Sequence, residues 1–170
     1  PTMPYGKSPL SREEVNTLIK WIDQGAPDNK GSLRFPDDPK RKKIYISNQG
    51  CDLVSVFDAE TALPIRYVKV GNNPSQTESP HMIRISPNGH YWYVVFTGGN
   101  IIQKYRTLDD SYAGEINIGS GNWNTFAITA DSKKAFCVDW SADGKIAYVD
   151  LEKMSLQQLY QGSGLLLYPH

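Results

Sequence analysis

The chain has 170 residues, enough for one domain or for one domain with an appendage. Hydrophobic residues make up 39% of it, and ten Tyr, four Trp and five Phe supply material for a packed core, so the composition excludes a disordered chain. The formal net charge is zero, which removes the electrostatic attraction that dominates nucleic-acid binding. No apolar run approaches the roughly 20 residues that span a bilayer.

The first predicted element is an amphipathic helix at about residues 12–24. Ser11 is a favourable N-cap, and Glu14, three residues later, completes a capping box. The apolar residues that follow recur at helical spacing and form one stripe: Val15, Leu18, Ile19 and Ile22. Gly25 and Pro27 are typical of a helix end. A helix this short is marginal in water unless its stripe packs against another element.

Residues 1–27, PTMPYGKSPLSREEVNTLIKWIDQGAP, resemble the C-terminal end of small bacterial cytochrome c domains, most closely the planctomycete-type group. In that family the methionine ahead of the helix is the second axial ligand of the haem iron. The resemblance therefore implies this role for Met3 in a parent protein that carries haem c. A thioether is a soft, neutral ligand that favours reduced iron.

This chain cannot attach haem c by itself, because its only cysteines, Cys51 and Cys137, form no Cys-x-x-Cys-His motif. The attachment motif is expected upstream of Pro1. The chain thus looks like a piece of a longer protein, truncated at both ends.

Residues 28–42, DNKGSLRFPDDPKRK, lose all periodicity. They hold two Pro, one Gly and eight charged residues. This composition predicts a linker between residues 1–27 and a second domain at residues 43–170.

From residue 43 onward, short β-rich runs alternate with turn signals. Three phrases can be superimposed, each with three strands and a closing glycine: residues 43–71, 91–119 and 135–162. Between the phrases lies a further unit, an apolar strand with a tight turn, at residues 79–89 and 124–132. Four short strands that recur in this way indicate the blades of a β-propeller. We predict a mainly β fold, a partial propeller of about 2.5–3 four-stranded antiparallel blades, preceded by one short amphipathic helix.

The repeats resemble the YVTN group of propellers. The phrases VSVFDAET (54–61) and IAYVDLEKM (146–154) each carry a strand that ends in Asp and is followed by a turn. Pro80-His81 through Ser86-Pro87-Asn88-Gly89 matches the Pro-His, strand and Ser-Pro-x-Gly phrase of that group. Since propellers carry many unrelated activities, this resemblance implies a fold but does not choose a function.

His81 and His170 are the candidate metal ligands. They occupy equivalent repeat positions before the innermost strands, with Asn124 at the intermediate place. In YVTN-like propellers this position faces the opening of the central channel. A ring of such histidines would bind a metal or an anionic ligand; alternatively, each histidine hydrogen-bonds loop backbone at the channel mouth.

A tryptophan, two aspartates and the two cysteines complete the predictions from the sequence. Trp123, in the loop that follows Gly119, is the best candidate for an exposed contact residue. Asp58 and Asp150 end matching strands and are expected to accept backbone hydrogen bonds in their own turns. The two cysteines are expected as small apolar residues in or beside strands, with a disulfide as the alternative.

Three functions remain open. The first is electron transfer by a secreted c-type cytochrome fused to a propeller, which binds a redox partner protein or a small ligand; attaching haem c requires export and implies a periplasmic or cell-surface location. The second is an oxidoreductase whose propeller holds a second redox centre, of the haem-d-type nitrite reductase kind. The third is a plain binding or scaffold propeller. No catalytic motif is present, so this chain alone is not expected to be catalytic.

Overall fold

The structure, a computed structural model, describes residues 8–24, 26, 38, 40–141 and 144–162. The chain divides into two units, Pro1–Asp38 and Pro39–His170. The predictions made for Met3 and His170, for Gly25 and Pro27 at the helix end, and for most of the linker fall outside the described residues. In the described part of the chain, no helix is both long and apolar enough to cross a membrane.

The first unit contains the predicted helix, α1 (Arg12–Asp23), and the predicted capping box is confirmed. The Ser11 backbone N–H donates to Oε2 of Glu14 at 2.7 Å, and the Glu14 N–H donates to Oγ of Ser11 at 3.2 Å. These bonds hold the pKa of Glu14 below its usual value. The four apolar side chains of the predicted stripe are 40–61% exposed.

The second unit holds eleven described strands in three antiparallel sheets that follow one another along the chain. The first sheet has three strands, β1 to β3: Lys43–Asn48, Leu53–Asp58 and Pro64–Lys69. The second has four, β4 to β7: Pro80–Ile85, Tyr91–Phe96, Ile101–Arg106 and Tyr112–Asn117. The third has four, β8 to β11: Trp123–Ile128, Lys134–Asp139, Ile146–Asp150 and Ser155–Tyr160. The predicted mainly β, partial propeller is confirmed.

The strands β4 and β8 are the inner strands of the second and third blades. Each lies at one edge of its sheet; β4 packs against β1 and β8, and β8 also packs against β5. Their following turns are equivalent, since Gly89 and Ser132 both adopt positive φ, at 75° and 64°. The backbone N–H of Asn88 donates to Oγ of Ser132 at 3.0 Å, so the turns of neighbouring blades contact each other.

Side-chain alternation along β5 sends aromatic rings into two separate cores. Trp92 faces the first blade; its ring contacts Tyr45 of that blade at 5.1 Å and stacks on Tyr105 of its own blade at 4.2 Å. Tyr93 faces the third blade and meets the Phe126 ring edge-on at 6.5 Å. Trp92 and Tyr93, neighbours on one strand, therefore point to opposite faces, and each packs between two blades.

An aromatic residue recurs at the third position of three equivalent strands, β1, β5 and β9. Tyr45 packs on Trp92 of the following blade, and Tyr93 packs on Phe126 of the following blade. Phe136 is the third member of this series; it stacks on Tyr148 of its own blade at 4.8 Å and stays 42% exposed. The aromatic residue of this series is thus packed against a following blade in the first two blades and is partly exposed in the third.

A buried carboxylate joins the first two blades. Asp110 follows β6 with a positive φ of 59° and accepts hydrogen bonds from Nζ of Lys43 at 2.9 Å and from the Tyr45 hydroxyl at 2.9 Å. The indole nitrogen of Trp92 donates to the same carboxylate at 3.1 Å, and Nε of Arg66 lies 3.5 Å away. Burial, with the neighbouring Asp110 charge, raises the pKa of Tyr45.

The turn aspartates behave as predicted. Oδ1 of Asp58 accepts the N–H groups of Thr61 at 2.8 Å and Glu60 at 2.9 Å. Oδ1 of Asp150 accepts those of Lys153 at 2.8 Å and Glu152 at 3.0 Å. In each turn these hydrogen bonds to the charged form hold the carboxyl pKa below its usual value.

The cysteines are both free, so they do not form the alternative disulfide. Cys137 lies buried within β9, where burial raises the pKa of its thiol. Cys51 is exposed in a short 3₁₀ turn, Gln49–Cys51, that follows β1.

The Asp110→Ala change is expected to lower the free energy of unfolding by about 3–5 kcal/mol, because the Lys43 side chain, only 7% exposed, keeps its charge in the core without its carboxylate. Urea denaturation followed by tryptophan fluorescence measures the loss. Glu152→Ala, which removes a largely exposed ion pair with Lys133, is the matched control and should cost less than about 1 kcal/mol. Equal losses in the two variants would contradict the role given to Asp110.

The free energy of unfolding is expected to fall as the pH drops from about 5 to about 2. A folded-state pKa below the unfolded value means that the carboxylate stabilises the fold above about pH 4, and that this contribution is lost as the pH falls through the folded pKa. Asp150→Asn should flatten the slope, since the amide oxygen still accepts both N–H groups but does not titrate in this range. Denaturation curves at stepped pH test this. Glu60→Gln, an exposed side chain without a described hydrogen bond, should leave the slope unchanged; a wild-type slope in Asp150→Asn would contradict the prediction.

Candidate functional site

Loops from neighbouring blades meet at one end of the sheets, which we call the loop end. It contains the connections from an outer strand to the next inner strand, residues 70–79 and 118–122, and the turns that follow β1, β5 and β9, at 49–52, 97–100 and 140–141. These loops share one end because the strands of each blade alternate in direction. The backbone N–H of Thr97 donates to the Ser79 carbonyl at 3.0 Å, and that of Trp140 donates to the Asn122 carbonyl at 2.9 Å.

Two aspartates fix these loops. Asp52, at a positive φ of 49°, accepts the backbone N–H of Glu78 at 2.9 Å and so ties a turn of the first blade to the entry of the second. Asp139, at the end of β9, accepts the N–H of Asn122 at 2.8 Å. Burial raises the pKa of Asp139, but hydrogen bonds from Ser141 and Asn122 outweigh burial and hold that pKa below its usual value. Both carboxylates therefore serve as acceptors for loop backbone.

His81 is the second residue of β4 and lies half-buried at the loop end. Its carbonyl accepts the Ser47 hydroxyl at 3.0 Å, and its ring Nδ1 lies against the amide nitrogen of Gln49. A donating amide makes Nδ1 the acceptor, so the neutral ring carries its proton on Nε2. Nε2 has no hydrogen bond in the described part of the chain and is available as an N–H donor.

This tautomer favours one of the two predicted roles of His81. An N–H donor suits an anionic or carbonyl-bearing ligand. Metal ligation through Nε2 needs the opposite tautomer, with the Gln49 amide turned so that its oxygen accepts from Nδ1–H. No group of three or more His, Cys, Asp or Glu able to hold a metal ion occurs among the residues that the structure describes.

Asn124 takes the equivalent position on β8, as the repeat alignment predicts. It is buried, and its amide nitrogen contacts the Asn122 side chain. Because β4 packs against β8, the structure brings His81 and Asn124 to the same end of two adjacent inner strands. His170 and Met3 lie outside the described residues, so a histidine ring in this position stays a prediction.

Trp123 is not an exposed contact residue, and the prediction of its exposure is wrong. It begins β8 and is 0% exposed, with its indole nitrogen donating to the Gly119 carbonyl at 2.8 Å. The loop folds over the ring at Gly121, where a Cβ atom would lie 2.9 Å from the ring. The tryptophan that does reach solvent at the loop end is Trp140, which is 43% exposed.

Sequence reasoning missed Gln49, Asp52 and Glu78. Glu78 is buried between the first two blades, and its Oε2 accepts the backbone N–H groups of Asn72 at 2.6 Å and Asn73 at 2.8 Å. A signal for Glu78 exists in the sequence, since it directly precedes the Ser-Pro-His phrase that opens β4. Nothing in the sequence marks Gln49, whose partner is 32 positions away.

Comparison with solved structures shows the fold. Hydrazine synthase of Kuenenia stuttgartiensis matches with a TM-score of 0.62 at 22% identity, over 70% of this chain and 34% of that chain. Dihydro-heme d1 dehydrogenase NirN in complex with DHE matches with a TM-score of 0.55 at 21% identity, over 74% of this chain and 25% of that chain. No protein-family model and no curated protein sequence matches this chain.

The chain thus spans about a third and about a quarter of the two proteins whose fold it shares. At this level of identity the likeness establishes the propeller architecture and no more. The chemistry of the loop end has to be argued from its own residues: a histidine N–H, an exposed tryptophan and a set of amides and carboxylates held by backbone hydrogen bonds.

Proposed function

We propose that this chain joins the end of a c-type cytochrome domain, residues 1–27, through a linker at 28–42, to a β-propeller that begins at residue 43. The parent protein is secreted or periplasmic and transfers electrons. Its propeller is a platform that binds a redox partner protein or a small ligand at the loop end.

The observation that carries this proposal is α1. Its capping box, its length and its exposed apolar stripe are those of a helix that needs a partner for one face, and the sequence around it resembles the end of a cytochrome c domain. The propeller fold that follows supports the second half of the proposal.

The residues of this chain do not fit covalent attachment of haem c. Its two cysteines stand in different blades, one exposed and one buried, and neither is followed by histidine at the required spacing. In the proposal the haem therefore belongs to the cytochrome domain of the parent, and this chain contributes Met3 alone. The thioether of methionine would act there as a neutral axial ligand.

At the loop end, the proposed binding surface centres on the Nε2–H group of His81. This donor is oriented by Gln49 and by the bond between Ser47 and the His81 backbone. A ligand with a carboxylate or carbonyl group, or an acidic patch of a partner protein, would accept from it. The exposed indole of Trp140 adds an apolar contact at the same end.

A second candidate function is an oxidoreductase whose propeller holds a second redox centre of the haem-d type. One observation favours it: the fold is shared with a protein named as a dihydro-heme d1 dehydrogenase in complex with DHE. In this case His81 would contact the bound cofactor or act on the substrate, and would belong to the catalytic residues of the parent.

Met3→Ala, made in the protein expressed from the complete gene, tests the cytochrome half. We expect haem content to stay unchanged while the reduction potential falls by on the order of 0.1 V, because the ligand that stabilises reduced iron is lost. Spectroelectrochemical titration measures the potential. Met154→Leu, a methionine of the propeller, is the matched control and should keep the wild-type potential. A full-length protein without haem c would contradict the proposal.

His81→Ala separates the two candidates. For a binding platform, the visible spectrum stays that of haem c alone, and affinity for the redox partner falls about 10-fold with the loss of one hydrogen bond. For a propeller oxidoreductase, the wild-type spectrum contains a second chromophore, which the variant loses together with turnover. His90→Ala, at the opposite end of the same blade, should change neither reading. A variant with wild-type spectrum, partner affinity and turnover would remove His81 from both candidates.

A further inference from the structure

A second feature of the loop end is a polar cleft of about 410 Å³ between the connection that precedes β4 and the turn that follows β5. Its walls carry neutral polar groups: the side chains of Asn72, Gln76, Asn100 and Ser120. Gly98 and Gly99 form one side of it. Glu78 is the one charged residue that lines the cleft, and His81 does not line it.

The carboxylate of Glu78 is buried but incompletely bonded. The residue is 3% exposed, and Oε2 takes both of the hydrogen bonds that the side chain accepts, from Asn72 and Asn73. Oε1 of Glu78 has no hydrogen bond in the described part of the chain. Every fully buried side-chain oxygen there has a hydrogen-bond partner, so Oε1 must be in contact with solvent. Because Glu78 lines the cleft, Oε1 contacts solvent in the cleft.

No cation of the described residues forms an ion pair with this carboxylate. The ion pairs among the described residues involve Asp58, Asp110, Asp139 and Glu152, but not Glu78. A buried charge without a counter-charge is unfavourable unless a ligand or solvent compensates it. Oε1 of Glu78 therefore faces the cleft without an ion-pair partner among the described residues.

Two glycines keep this carboxylate accessible. A Cβ atom at Gly99 would lie 3.1 Å from Oε1 of Glu78 and 2.8 Å from Cβ of Phe96. A Cβ atom at Gly71, where φ is 83°, would lie 2.6 Å from Oε2. Any other residue at either position would displace the carboxylate or close the cleft around it.

We propose that this cleft binds a small organic cation through its ammonium group, with Oε1 of Glu78 as the counter-charge. An ammonium group has three donors, and the amide oxygens of the walls supply acceptors beside Oε1. Asn72 is one such residue: its amide nitrogen donates to Glu115 at 2.8 Å, and its amide oxygen has no hydrogen bond in the described part of the chain.

Charge and size favour an organic cation over a metal ion. One carboxylate neutralises one positive charge, whereas a divalent ion would keep excess charge near Nζ of Lys145, which donates to the Ser120 carbonyl at 2.9 Å. Calcium sites in proteins use six to eight oxygen ligands, usually with several carboxylates. The cleft volume of about 410 Å³ also exceeds what a bare ion needs and leaves room for an organic body.

The test uses the protein expressed from the complete gene and titrates it calorimetrically with three probes: n-propylammonium chloride, 1-propanol as its neutral match, and calcium chloride. We expect binding of propylammonium only. Amide NMR shifts should centre on residues 72 and 98–100. The proposal is overturned if propylammonium does not bind, if propanol binds as well, or if calcium binds here and propylammonium does not compete.

Glu78→Gln is the decisive variant, because glutamine keeps one oxygen for the N–H groups of Asn72 and Asn73 and turns an N–H₂ into the cleft. Affinity for propylammonium should fall roughly 10- to 100-fold. Glu60→Gln, an exposed carboxylate in the turn between β2 and β3, at the opposite end of the sheets, is the matched control and should bind as wild type. If Glu78→Gln unfolds, Asn100→Asp provides the reverse test: a second carboxylate in the wall should tighten binding. Unchanged or weaker binding in Asn100→Asp, or unchanged binding in a folded Glu78→Gln, overturns the proposal.

Discussion

The Asp110 carboxylate is the interaction on which the arrangement of the first two blades depends. It gathers donors from Lys43 and Tyr45 on β1 and from Trp92 on β5, all in the core between the blades. The Tyr45 hydroxyl and the Trp92 indole N–H have no other hydrogen bond in the described part of the chain, so without this carboxylate both would be unsatisfied in the core. Between the second and third blades, the described residues combine apolar packing around Tyr93 and Phe126 with hydrogen bonds such as that from Nζ of Lys104 to the Leu151 carbonyl at 3.0 Å.

The loop end follows from this packing. Once β1, β4 and β8 lie side by side, a turn of one blade meets the entry loop of the next, and Asp52 can bond the backbone at Glu78. Each candidate site is therefore composite: Gln49 of the first blade orients His81 of the second, and the cleft at Glu78 is walled by residues of two blades and by Ser120. A single isolated blade would contain neither site.

The two sites differ in chemistry although they share one end. His81 offers an N–H donor and suits an acceptor ligand, whereas Glu78 offers an anionic acceptor and suits a cation.

Local periodicity and capping were enough to predict the element types: α1 begins at its Ser11 capping box, and the turns of Asp58 and Asp150 close as predicted. Burial and the choice of partners depend on contacts across blades, so they follow from the folded arrangement and not from local sequence. Trp123 is buried where the sequence suggested exposure, and Gln49 and Glu78 acquired their roles from residues that a linear reading does not place beside them.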